Sequence, residues 1–78
     1  MQKREYEEPS EEGVNEVRFN LLKKGRTRWQ MGRLMRIAHP GHDYRRCTIG
    51  RLKEVWLEWS ESKRKHCEQV ARDVEANR

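Results

Sequence analysis

The sequence predicts an all-α protein. It reads as a small three-helix domain (about 16–24, 28–38 and 48–75), with a long C-terminal helix and a disordered acidic N-terminal tail. Three observations carry this. Met31, Leu34, Met35 and Ala38 recur at i, i+3, i+4 and i+7, one face of a helix. A second stripe runs through Ile49, Leu52, Val55, Trp56, Trp59, Cys67, Val70 and Val74. Val17, Phe19 and Leu21 alternate as a strand would, but the helix signals around them are more numerous.

Composition bounds what such a domain can be. The 78 residues suit one domain, taken here as 14–78 behind a tail of 1–13. Only 33% of them are apolar and 40% are charged, against a usual ~45–50% and ~25%. A core this thin supplies no more than roughly 3–5 kcal/mol. No run approaches the ~18 apolar residues of a membrane span, and the first 25 residues hold no signal-like apolar stretch. The chain is small for an enzyme that must build and shield a pocket. A binding module is the default expectation, with no catalytic residues and no cofactor.

The tail, Met1 to Gly13, is too polar to offset its ordering entropy by burial. In the next segment Asn15 reads as an N-cap and Glu16 as a first-turn acid. Lys23 and Lys24 fill the last turn, and Gly25 stands where a left-handed residue ends a helix. Thr27 caps the second helix. At about 100° per residue, the side opposite its apolar stripe carries Arg26, Trp29, Arg33, Arg36 and Ile37. His39-Pro40-Gly41 stops that helix. Thr48 then caps the third. Its stripe stays in phase across 60–65, which favours one helix of 48–75, about 40 Å long, over a break at Ser60 or Ser62. Two short helices cannot cover so long a stripe. Its distal part, Cys67 to Val74, is therefore expected to meet a second copy or another protein, or to fray.

The net charge of +5 is segregated. Residues 1–17 hold two cations against six glutamates, −4; residues 18–51 hold ten cations against Asp43, +9; residues 52–78 hold six of each sign, zero. Eight of the ten central cations are arginine, whose planar fork suits phosphates and base edges. A basic centre of this kind is the footprint of a polyanion partner.

Thr48-Ile49-Gly50-Arg51-Leu52-Lys53 resembles the start of a recognition helix in helix-turn-helix proteins. There a Ser or Thr opens the helix, an Ile or Val anchors it, and small and basic residues face the groove. The resemblance implies that Thr48 and Arg51 stand nearest the bases. Arg18-Phe19-Asn20-Leu21 is also similar to the strand of ribbon-helix-helix DNA-binding dimers, which keeps a strand open beside the helix at 16–24.

The expected function is a small basic regulator of transcription that binds nucleic acid, DNA ahead of RNA. The contact residues are Arg26, Arg28, Arg33, Arg36, Arg45, Arg46, Thr48 and Arg51. The alternative is an adaptor or inhibitor that docks its basic, tryptophan-bearing surface on an acidic protein surface. Trp29, Trp59, Val70 and Val74 are its candidate contacts, and the C-terminal helix can also pair with a second copy.

His39, His42 and Cys47 have no known metal-ligand spacing, so no metal is expected. Cys47 and Cys67 would sit ~30 Å apart on one helix, beyond the ~7 Å of a disulfide. They read as free thiols of a reducing compartment, cytoplasm or nucleus. Lys63-Arg64-Lys65-His66, with Glu58, Glu61 and Glu68 at helical spacing, reads as a salt-bridged solvated face.

Overall fold

A computed structural model describes residues 11–77 and is all-helical over them. Four helices follow in order: α1 (Glu11–Lys23), α2 (Arg28–Ala38), α3 (Ile49–Glu58) and α4 (Glu61–Ala76). The principal packing pairs are α1 with α3 and α2 with α4. Residues 1–10 of the expected tail lie outside the described residues. Residues 11–13, expected in that tail, form the first turn of α1.

α1 is a helix and not a strand, and it starts five residues before the expected 16. Asn15 is therefore no N-cap. It is buried in mid-helix, where its Oδ1 accepts from Arg18 at 3.1 Å. Its backbone carbonyl accepts from the Trp56 indole at 2.7 Å, which ties α1 to α3. Phe19, fully buried, packs beside Trp56 with ring centroids 6.2 Å apart. Arg18 forks onto both carboxylate oxygens of Glu68 at 2.8 and 3.0 Å and reaches Glu61 at 2.8 Å. This strut joins α1 to α4. Arg18, and after it Arg64, hold the Glu61 carboxyl below the usual carboxylate range. Gly25 ends the helix with φ of 79°, the left-handed conformation that glycine adopts at no steric cost.

α2 spans the expected residues. Thr27 and Gln30 form a reciprocal capping box: the Thr27 hydroxyl accepts from the Gln30 N–H, and the Gln30 side chain accepts from the Thr27 N–H. Met31, Leu34, Met35 and Ala38 are all buried. Gly32 is buried too, because the Tyr44 carbonyl of the following loop lies against it. Tyr44 itself enters the core, an aromatic anchor inside a polar loop.

The third expected helix is two helices. α3 stops at Glu58, Trp59 is extended, and Ser60 caps α4 by accepting from the Lys63 N–H. Arg64 explains the break. Only 4% exposed, it donates to the carbonyls of Trp56, Leu57 and Trp59 at 3.1, 3.3 and 2.6 Å. These acceptors belong to the end of α3, where carbonyls lose their helical partners and a cation meets the negative dipole end. The run 63–66 is thus not a wholly solvated face, since Arg64 points inward. The break lets α4 fold back, so that Cys67 and Ala71 are buried in the same core as Met31, Leu34 and Met35 of α2. Within the chain the core covers Cys67 fully and Val70 in part, while Val74 stays 44% exposed.

Candidate nucleic-acid interface

The fold divides the central arginines by what each one touches. Arg26 is a strut. It donates to the Leu22 carbonyl at 2.7 Å and to Glu75 on α4 at 3.3 Å. Arg28 leans the other way and donates to the Arg45 and Cys47 carbonyls, each at 2.9 Å. It thereby holds the 39–47 loop beside the start of α2. Arg45 is exposed and locked onto Asp43 by two side-chain contacts of 3.0 Å and a third from its backbone N–H. Those bonds hold the Asp43 carboxyl well below the usual range, and the charge of Arg36 adds to the effect.

Arg36 and Arg46 are exposed and have no ion-pair partner among the described residues. Arg51 pairs with Glu54 at 3.1 Å, and both are exposed. The Thr48 hydroxyl caps α3 by accepting from the Arg51 N–H at 3.1 Å. Arg33 lies over the Trp29 ring, 5.6 Å from its centroid. Trp29 itself is 53% exposed.

The result is a surface made from one edge of α2, the loop and the first turn of α3. It carries Arg28, Arg36, Arg45, Arg46 and Arg51, with Asp43 and Glu54 as its acids. α2 itself has no acidic residue. Arg26 and Arg33 lie off this surface, Arg26 between α1 and α4 and Arg33 toward α4.

The expected partner contacts also separate. Trp59 is buried, its ring edge-on to His39 at 4.5 Å and to Tyr44 at 6.3 Å, and it is spent on the core. Val70 packs half-buried against that core. Trp29 and Val74 remain at the surface, 53% and 44% exposed.

His39 Nε2 lies 3.0 Å from the Lys63 carbonyl, which can only accept, so that nitrogen carries the proton. Among the described residues no group of three or more His, Cys, Asp or Glu side chains is placed to hold a metal. Both cysteines are free, Cys47 half-buried and Cys67 buried. No described helix is long and apolar enough to cross a membrane. No family model matches the chain, and no curated protein or solved structure matches it either.

Sequence reasoning missed Arg64 and the Arg18 strut. For Arg64 a local signal exists: Ser60-Glu61 is a cap followed by a first-turn acid, which marks a new helix start. For Arg18 there is none, because Glu68 is 50 residues away.

Proposed function

We propose that this protein is a small basic regulator of transcription that binds nucleic acid, DNA ahead of RNA, on the surface formed by α2, the 39–47 loop and the start of α3. The observation that carries the reading is the exposed pair Arg36 and Arg46, which has no ion-pair partner among the described residues and is flanked by Arg28, Arg45 and Arg51. Arginines that the fold does not consume keep their guanidinium forks for phosphate oxygens. Thr48 and Arg51 open α3, the helix that resembles a recognition helix, and Arg51 is the residue nearest a base edge in this reading. Trp29 offers an indole face at the margin for stacking. The free thiols suit a reducing compartment, the cytoplasm or a nucleus.

Salt dependence tests it. Four phosphate contacts give a slope near −3.6 in log affinity against log salt, so duplex affinity should fall roughly 10²-fold between 50 and 200 mM salt. Replacing Arg36 and Arg46 together by Gln should flatten the slope by about two. The absence of binding to duplex or single-stranded nucleic acid at the lower salt would overturn the proposal.

A further inference from the structure

The other edge of α2 bounds a groove that the arginine-rich surface does not use. It lies between α2, the α1–α2 turn and the C-terminal turns of α4, and encloses about 530 Å³. Leu34, Ile37 and Val74 give it an apolar lining. Ile37 is 51% exposed and Val74 44%, so each leaves about half of an aliphatic side chain in water. Lys24, Arg26 and Arg33 supply positive charge around them. The acid at this rim, Glu75, is engaged by Arg26. The wall is preorganised, because Arg26 is fixed at both ends by the Leu22 carbonyl and Glu75.

We infer that this groove is a docking site for an acidic, amphipathic helical segment of a partner protein. Two properties select that occupant. The aliphatic lining gains by covering itself with Leu or Phe side chains, spaced i and i+3 or i+4 on a partner helix. The cationic rim favours carboxylates beside those side chains and repels a basic segment. A nucleic acid satisfies only the rim, since Ile37 and Val74 offer it neither a stacking face nor a hydrogen bond. The volume falls within the roughly 300–1,000 Å³ of sites that take apolar ligands. The inference is independent of nucleic-acid binding, which uses the opposite edge of the same helix.

The test uses the full chain with labelled methyl groups, observed by NMR. The probes are a short synthetic helix with Leu and Phe on one face and Glu on the other, a twin with Lys for Glu, and a DNA duplex. The acidic helix should shift the Ile37 and Val74 methyls saturably, and the Lys twin should not. Ile37→Asp and Val74→Asp should each weaken the acidic helix by about tenfold with unchanged circular dichroism. Arg33→Glu should weaken the acidic helix and admit the Lys twin, a reversal that a merely unfolded variant does not produce. The inference is overturned if the acidic helix leaves both methyls unmoved or if both helices bind alike. It is equally overturned if the duplex, and not the acidic helix, moves them. Gln at Arg36 and Arg46 should leave the acidic helix bound, so the two sites fail separately.

Discussion

The Arg64 guanidinium donates to the Trp59 carbonyl at 2.6 Å across the break between α3 and α4. The same nitrogen also serves Trp56 and Leu57. One cation thus closes the end of α3 from the first turn of α4, and it is buried while doing so.

Replacing Arg64 should therefore cost more than replacing a surface cation. Arg64→Ala leaves three carbonyls without this donor, and the bonds to Trp56 and Trp59 are buried. Hydrogen bonds to a charged group contribute ~1.5–3 kcal/mol, so a loss of about 2–3 kcal/mol is expected in urea unfolding. In a domain whose core supplies only roughly 3–5 kcal/mol, much of the chain would be unfolded. Lys65→Ala, at an exposed neighbour, should change stability by less than about 0.5 kcal/mol. Equal effects of the two changes would refute the role given to Arg64.

Two glycines should respond with opposite signs. A Cβ on Gly32 would lie 3.0 Å from the Tyr44 carbonyl oxygen, and backbone cannot swing aside as a side chain can. A Cβ on Gly50 meets only the Thr48 hydroxyl, at an ordinary 3.9 Å. Alanine gains up to about 1 kcal/mol over glycine inside a helix. Gly50→Ala should raise the melting temperature, while Gly32→Ala should lower it and shift the loop resonances around Tyr44. A rise with both would show that the loop does not press on α2.

Asp43 should act as a brake on polyanion binding. Its carboxylate sequesters Arg45 and sits in the field of Arg36. Asp43→Asn keeps an oxygen for the Arg45 N–H but removes the charge. DNA affinity should rise, and the salt slope should steepen by about one. The melting temperature should barely move, since exposed pairs contribute little. Unchanged affinity at low salt would place Asp43 and Arg45 outside the interface.

The cysteines should differ in reactivity and in their effect on pH dependence. Cys67 is fully buried, and desolvation pushes its thiol pKa up to about 12. At pH 8 a thiol reagent should modify Cys47 first and reach Cys67 only as the protein unfolds. The folded state binds the Cys67 proton more tightly than the unfolded chain does. Its contribution is therefore complete below about pH 9 and declines toward pH 12, by ~1.4 kcal/mol per unit within that window. Cys67→Ala should flatten the alkaline loss of stability measured by urea unfolding. Fast labelling of Cys67 in the folded protein would contradict its burial.

What the sequence determined alone is local. Thr27, Thr48 and Gly25 mark helix ends because a cap or a left-handed turn involves only residues a few positions apart. The α2 stripe is legible because helical periodicity is a property of one segment. The tertiary structure decided where the long stripe breaks and which arginines stay available. A stripe in phase across Ser60 suits one helix as well as two, and the choice fell to Arg64, whose burial depends on packing. Arg18 and Arg26 look like their neighbours in sequence, yet carboxylates about fifty residues away claim both. Among the described residues, Arg36 and Arg46 have no ion-pair partner. Net charge is additive along a chain, whereas the availability of a charge depends on the partners that folding brings within hydrogen-bond reach.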